Sequence, residues 1–591
     1  MRLITQIFVA AGCAALGCGA AVPQASPTPQ AVLDMLDPIK RAGAICGARG
    51  DGLAERLRLA AAYSARHGGA QGPMPLLSGL PPVALSANSG KAEVQPYFSQ
   101  GLMLVYGFNH AAAVRSFREA QARDTDCALC FWGEAYAYGP NINAPMDPAT
   151  RDAMFAALDR AVALAPGAGL QAQALIAALA KRYSRDPDAD QAALAADYAA
   201  AMLAVAAAYP DQDDIAVLAA EAVMDTSPWD YWESDAKTLK PAMRPALTLL
   251  ETVVARSPHH PQASHLMIHM MEASRDADRA EAAADRLATG IAPAAGHLVH
   301  MPAHIYFRLG RFADSIRVNV DAARADEAFL DQVGDDGLYR FGYYPHNVHF
   351  LVTSAQMAGD IDTALDESAR LTRILDADPA VEIGWLQMIH AAPYLAHAQF
   401  SDADTILALE APDARLPMVG GLHQFARAVA FAERQNAMGF ADALAKIRAA
   451  GEAPNIASLE AQYFPAGDVL RLAEAVAQGR WAMAAKDWEG AIERFAAAAE
   501  IEDRLPYLEP PIWSYPVRQA LGAALYQAGR YADAKTAFLA ALSAYPANGW
   551  VLWGLAKTER ALGNRIEAEA AEAAFDRAWL GDPAWLTMAR L

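Results

Sequence analysis

The chain has 591 residues, of which 54% are hydrophobic and 20% are charged, with a formal net charge of −20. This length and apolar fraction are enough to bury several cores or one long continuous core, and they exclude disorder over most of the chain. The acidic balance excludes a nucleic-acid-binding surface, which requires clustered Lys and Arg to displace phosphate counterions.

The N-terminus has one Arg and then an apolar run that ends in small residues. This pattern is typical of a secretory signal peptide, so we predict that the protein is exported to the periplasm. Cys13 and Cys18 each follow a glycine in this run, which leaves open a lipidated cysteine as an anchor at the cell envelope. Such an anchor is the only membrane contact that we predict. We assign residues 1–31 to the signal peptide and a Pro-rich tether, and residues 32–93 to a helical lead-in.

The clearest internal repeat lies near the C-terminus, in LGAALYQAGRYADAKTAFLAALSAYP (521–546). Its small and large residues follow the spacing of a tetratricopeptide repeat (TPR), a 34-residue helix-turn-helix unit in which small residues such as Gly522 let two helices approach. Segments 94–127 and 472–505 keep part of this frame, and no stretch shows convincing strand alternation. We therefore predict an all-α fold, a tetratricopeptide-repeat α-solenoid over residues 94–582.

Nine of the chain's 14 histidines lie between residues 259 and 349, on three segments predicted to be helical. Spacings of three, four and seven residues place them on one stripe of each helix. In the tetratricopeptide-repeat proteins that this chain resembles, the equivalent positions line the concave groove, so we expect this stripe to face the groove rather than the core. Pro302 should kink the central helix between two of them. The candidate metal ligands on these stripes are His265, His269, His297, His300, His304, His346 and His349.

Imidazoles in register on neighbouring helices favour a transition-metal site. Adjacent helices pack about 8–10 Å apart and His–metal bonds are about 2 Å long, so side chains of two helices reach one ion. Copper or zinc is the predicted metal, in a carrier or a metalloenzyme. Methionines interleaved with the histidines would favour copper, although methionine at helical spacing more often fills a core. The alternative is a metal-free scaffold whose groove binds a peptide or partner protein.

Other candidate residues lie near the histidines or on an earlier helix. If the protein is an enzyme, Glu272 or Glu134 is the candidate general base and Arg308 the candidate anion holder. Cys127 and Cys130 lie one helical turn apart. For this pair we favour a disulfide, as expected in an oxidising compartment, and metal ligation and free thiols are the alternatives.

Two insertions rich in aromatic residues, 330–344 and 505–516, interrupt the repeats. Each is a candidate lid over the groove, and the first is favoured because it adjoins the histidines.

Three phrases of the sequence, FWGEAYAYGPNINAPM, HMPAHIYFRLGRFADS and YLEPPIWSYPVRQALGAAL, resemble those of a group of exported bacterial TPR proteins of largely unassigned function. The resemblance extends over about residues 94–560. It implies the helical-repeat fold and export, and for activity it implies only the binding role general to such solenoids.

Overall fold

A computed structural model describes residues 72–334, 337, 339–462 and 464–591 of the chain. The predicted signal peptide and tether lie outside these ranges, as does most of the helical lead-in. The last part of that lead-in, residues 72–93, forms turns and bends rather than a helix.

Regular secondary structure in the described ranges is helical. No β-strand occurs there, and the only bridges are two isolated pairs of residues. The predicted all-α, TPR-like solenoid is therefore confirmed. The N-terminal helices are α1 (Val94–Tyr106), α2 (His110–Arg123), α3 (Ala128–Ala137), α4 (Arg151–Leu164), α5 (Leu170–Leu179), α6 (Gln191–Ala208), α7 (Asp213–Met224) and α8 (Arg244–Arg256).

The histidine-rich region forms the centre of the helical array. Pro302 interrupts its middle helix as predicted, so that one helix ends at His300 and the next begins at Pro302. The central helices are α9 (Pro261–Glu272), α10 (Glu281–Leu287), α11 (Gly296–His300), α12 (Pro302–Leu309), α13 (Phe312–Val333) and α14 (Tyr344–Ala358).

The C-terminal part continues the pairing of consecutive helices, with shorter helices between some of the pairs. Its helices are α15 (Ile361–Ile374), α16 (Ala377–Glu382), α17 (Leu386–Phe400), α18 (Ala403–Ala408), α19 (Pro417–Glu433), α20 (Ala437–Gly451), α21 (Pro454–Ala461), α22 (Ala466–Ala484), α23 (Trp488–Glu502), α24 (Val517–Gln527), α25 (Tyr531–Ala544), α26 (Gly549–Ala561) and α27 (Arg565–Ala578).

Short sequence signals set the ends of these helices. The side chains of Asn109, Asp360 and Asp487 each accept a hydrogen bond from a backbone N–H in the first turn that follows, which satisfies a donor the helix itself leaves free. Gly310 and Gly359, the predicted inter-helix glycines, end α12 and α14 with φ of 73° and 72°. Only glycine adopts this left-handed conformation without a steric penalty.

The packing within repeats follows the small-against-large logic of the sequence. A Cβ atom on Gly101 of α1 would lie 2.8 Å from the ring of Phe117 on α2. In the C-terminal repeat, a Cβ on Gly522 of α24 would lie 2.6 Å from the ring of Phe538 on α25. Both phenylalanines are fully buried. Glycine is therefore required where the helices of a pair approach most closely.

The C-terminal helices return to the central ones, which an open solenoid would not do. Trp550 donates its indole N–H to the carbonyl oxygen of Gln356 at 2.9 Å, and the backbone N–H of Leu580 donates to Ala358 at 2.9 Å. Because the array closes in this way, the loop 505–516 comes to lie over the central histidine helices.

One helix in the described ranges, α6, has the length and hydropathy that a bilayer crossing requires. It packs as the first member of a hairpin with α7.

Candidate metal centre

Six of the seven predicted histidine ligands form two adjacent triads in the described structure. Within each triad the ligand atoms lie within 4.8 Å of one another. The rings of His269 and His304, one from each triad, have centroids 6.3 Å apart, and those of His297 and His300 are 6.1 Å apart. The two triads are therefore parts of one site.

The first triad consists of His265 and His269 from α9 and His297 from α11. Gln262, one turn before His265, accepts a hydrogen bond from its Nδ1 at 3.0 Å. The amide nitrogen of Gln262 donates to Glu221, so the amide oxygen is the atom that faces the imidazole. Nε2 of His265 therefore carries a lone pair, and it lies 3.2 Å from Nε2 of His297. Nε2 of His269 is buried and has no hydrogen-bond partner among the described residues.

The second triad consists of His300, His304 and His346, from α11, α12 and α14. Asn319 of α13 accepts a hydrogen bond from Nδ1 of His300 at 2.6 Å, and its amide nitrogen is fixed by donation to the carbonyl oxygen of Ser315. Nε2 of His300 therefore carries a lone pair as well. It lies 2.9 Å from Nε2 of His304.

These nitrogen–nitrogen spacings suit ligands of a shared ion. Two nitrogens bound at about 2.0–2.1 Å to one ion, at angles between square and tetrahedral, lie about 2.8–3.4 Å apart. The two pairs, at 3.2 Å and 2.9 Å, fall within this range.

Two buried carboxylates contact the triads, and one of them, Glu272, connects the two. Glu272 accepts a hydrogen bond from Nδ1 of His269 at 2.6 Å through one oxygen, and its other oxygen lies 2.7 Å from Nδ1 of His304. Glu509, from the loop 505–516, accepts from the same Nδ1 at 2.7 Å. Tyr507 in turn donates its hydroxyl to the other oxygen of Glu509. Both carboxylates thus bind the ring nitrogen that faces away from the neighbouring imidazoles.

Burial keeps most of these imidazoles neutral. It lowers the pKa of His269, and that of His349 to about 4. A neutral imidazole is the form that binds a metal. Burial, reinforced by neighbouring imidazoles, places the pKa well below the usual range for His265, His297, His300 and His346.

His304 differs from the other imidazoles of the site. Burial alone would lower its pKa, but the carboxylates of Glu272 and Glu509 outweigh burial and raise that pKa to about 10. Burial would raise the pKa of Glu272, but His304 and His269 lower it to about 2. Without a metal, His304 is therefore an imidazolium whose Nε2–H donates to Nε2 of His300. A metal bound at Nε2 of His304 must displace this proton.

The histidine site opens on a cavity of about 190 Å³. The lining includes histidines and the two carboxylates Glu272 and Glu509. It also includes apolar residues of α17 and of the loop 505–516, together with Phe464. The histidines are consequently buried, at 0–6% exposure for those of the triads on α9, α11 and α12, and do not face an open groove. The sequence places these histidines on the groove side of their helices, and the closure of the array covers that side, so that five of them line the cavity instead of an open surface.

The remaining predicted residues belong to neither histidine triad. His349 lines the cavity but belongs to neither triad. Arg308 donates to the backbone oxygens of Glu272 and Ser274, which fixes the end of α9, and it does not line the cavity. Glu134 accepts hydrogen bonds from two side chains of α2 and does not line the cavity.

A disulfide joins Cys127 and Cys130, whose Cα atoms are 5.3 Å apart. Cys127 precedes α3 and caps it, since its sulfur accepts a hydrogen bond from the backbone N–H of Cys130. Both residues are buried, and they are not part of the histidine site. The turn that follows this helix does reach the cavity, through Asn143, whose side chain accepts a hydrogen bond from the indole of Trp229 at 3.0 Å.

Some residues of the site were not identified from the sequence. The loop 505–516, which received less weight than 330–344, supplies Glu509 and Tyr507. The favoured insertion contributes Tyr343, whose ring centroid is 4.9 Å from that of His297. The sequence signals were aromatic residues in both segments, glycines and proximity to the histidines for 330–344, and prolines for 505–516.

The methionines between the histidines lie elsewhere. Met267, Met270, Met271 and Met301 belong to the hydrophobic core and do not line the cavity. The argument that thioethers favour copper over zinc therefore does not apply.

No protein-family profile and no curated protein matches the chain. Among solved structures, a human IFIT1 dimer with m7Gppp-AAAA aligns with 90% of this chain and 95% of its own, at 11% identity and a TM-score of 0.30. Yeast Tom70 aligns with 82% of this chain and 91% of its own, at 12% identity and a TM-score of 0.23. TM-scores this low carry no information about site or partner, and we infer function from the residues alone.

Proposed function

We propose that this TPR-like protein binds two transition-metal ions, copper or zinc, one at each histidine triad. One observation carries the proposal: four imidazoles are held through Nδ1 by buried oxygen acceptors, which leaves each Nε2 directed to the shared space. Metal-binding histidines are oriented by such bonds, which also fix the tautomer. The four pairs are His265 with Gln262, His269 with Glu272, His300 with Asn319, and His304 with Glu509.

The chemistry of the ligand atoms limits which metals the site can bind. Imidazole nitrogens suit zinc, copper, iron and nickel, whereas magnesium and calcium require oxygen ligands. When bound, such an ion supplies Lewis acidity, which polarises an oxygen atom of a ligand. Glu272, which contacts both triads through its two oxygens, then holds a ring of each in place and offsets part of the added positive charge.

A third grouping, of Glu272, His304 and Glu509, also brings three ligand atoms together. It would use Nδ1 of His304, whose proton already donates to Glu509, with an oxygen of Glu272 at 2.7 Å. We therefore propose that the carboxylates of this grouping bind the Nδ1 proton of His304, and that the Nε2 atoms of the triads bind the metal.

The alternative function, a groove that binds a peptide through exposed histidines, is less consistent with the site. Triad histidines with 0–6% exposure, such as His265 and His300, have no surface that an extended peptide could contact.

Metal analysis tests the proposal directly. Protein purified without chelators and dialysed against copper or zinc should retain two ions per chain by mass spectrometry of the elements. The double variants His265→Ala/His297→Ala and His300→Ala/His304→Ala should each lose one ion.

The matched control removes two histidines of α17 that belong to neither triad, His390 and His397. The variant His390→Ala/His397→Ala should keep both ions. Wild-type protein without metal, or triad variants with full occupancy, would overturn the proposal in favour of peptide binding.

We also propose, from the N-terminal apolar run, that the protein is exported and acts in the periplasm or at the cell envelope. N-terminal sequencing of the protein from its native cell tests this. A mature chain that begins between residues 13 and 31 is expected, and an intact Met1 in cytosolic protein would contradict it.

A further inference from the structure

Two chemically different sets of residues line the cavity beside the triads. One set consists of histidines and Glu272 from α9, α11, α12 and α14. The other set is apolar and comes from Met388 and Ile389 of α17, Phe464, and Leu508 and Ile512 of the loop 505–516. Small-molecule sites combine apolar walls with a few convergent polar groups in this way.

The volume of the cavity limits its occupant. An engineered cavity of about 150 Å³ lined by apolar side chains binds benzene. The present cavity, at about 190 Å³, has room for one six-membered ring with a small substituent.

Aromatic side chains at the cavity already contact the imidazoles. The ring of Trp229 lies edge-on to His269, with centroids 5.1 Å apart, and that of Tyr343 lies edge-on to His297 at 4.9 Å. Edge-to-face and offset contacts between rings favour an aromatic occupant over a saturated one of equal size. Trp385 lines the same space.

We propose that this cavity binds a single-ring aromatic molecule that carries a hydroxyl group, a phenol in its simplest form. The ring lies against Met388, Ile389 and Phe464, and the oxygen points to the triads, whose His269 and His304 line the same cavity. This inference rests on the proposed metal function for the partner of the oxygen, and on the cavity alone for the ring.

The test is calorimetric titration of phenol, benzene and cyclohexanol into metal-loaded and chelator-stripped protein. Phenol should bind the loaded protein at least tenfold more tightly than benzene or cyclohexanol, and removal of the metal should abolish this advantage. Ile389→Trp fills the cavity and should weaken phenol binding at least tenfold while metal content stays unchanged. Leu508→Trp, in the loop, should do the same and covers the case in which the helix variant does not fold. Met438→Trp, at a position with 86% exposure, is the control and should bind phenol as the wild type does.

The outcomes separate this inference from the metal proposal. If the protein holds two ions but the filling variants bind phenol normally, or cyclohexanol binds as tightly as phenol, the inference is wrong and the metal site stands. If no metal binds, the proposed function fails, and benzene binding that Ile389→Trp abolishes would still support the aromatic cavity. Absence of benzene and phenol binding in all forms overturns the inference.

Discussion

Removal of the acceptor that orients His300 should weaken metal binding without removing a ligand. Asn319 lies on α13, is fully buried, and accepts from Nδ1 of His300 at 2.6 Å. Leucine has nearly the same shape as asparagine but no acceptor, so Asn319→Leu leaves a buried N–H without a partner and the ring without a fixed tautomer. Loss of such an orienting partner lowers metal affinity about 10- to 100-fold, or about 1.4–2.7 kcal/mol. The free energy of unfolding should fall by about 1–3 kcal/mol.

Competition with a chelator of known affinity measures the metal affinity. Denaturant unfolding of the metal-free protein measures the free energy of unfolding. Gln399→Met is the matched control, since Gln399 of α17 is also a buried amide and accepts from Gln356 at 2.9 Å. Gln356 lies on α14, about 15 Å along the helix from His346. It should lower stability to a similar extent and leave metal affinity unchanged. The reasoning is refuted if Asn319→Leu keeps wild-type metal affinity, or if the control loses affinity equally.

Three further predictions concern pH, thiols and packing. Because the pKa of His304 is raised to about 10, metal binding at its triad should release one proton. The metal affinity of that triad should therefore rise about tenfold per pH unit from pH 7 towards 10. Calorimetry in buffers of different ionisation enthalpy measures the proton release, and no release would contradict the prediction. In metal-free protein, the protonated His304 stabilises the fold fully below pH about 6.5, and this contribution is lost as pH rises through about 10. A thermal unfolding midpoint that rises between these pH values would contradict the raised pKa of His304. Cys127 and Cys130 should react with an alkylating reagent in unfolded protein only after reduction, and Cys→Ser at both should leave metal content unchanged; alkylation before reduction would exclude the disulfide. Gly420→Ala, where an added Cβ meets nothing within 4 Å, should stabilise the protein by about 0.5–1 kcal/mol. Gly479→Ala, where the added Cβ would overlap a buried phenylalanine ring, should destabilise the protein by about 1–3 kcal/mol. Equal effects of the two variants in denaturant unfolding would argue against the repeat packing.

Features that depend on residues close in sequence could be predicted without the structure. The Gly522–Phe538 contact lies within one repeat, and the helix break at Pro302 follows from the missing backbone N–H of proline itself. The histidine stripes follow from the helical period alone. Such features need only local geometry, so the sequence pattern carries them completely.

The surroundings of the histidines depended on the tertiary structure. Glu509 contacts His304 across 205 residues, and no local pattern relates the two. The pairing requires the C-terminal helices to return to the centre of the array, which is decided by long-range contacts such as that of Trp550 with Gln356. The same closure buries the histidines and adds the apolar wall of the cavity. The sequence alone therefore determined the helices and their candidate ligands, and the closure of the array determined which ligands converge and what surrounds them.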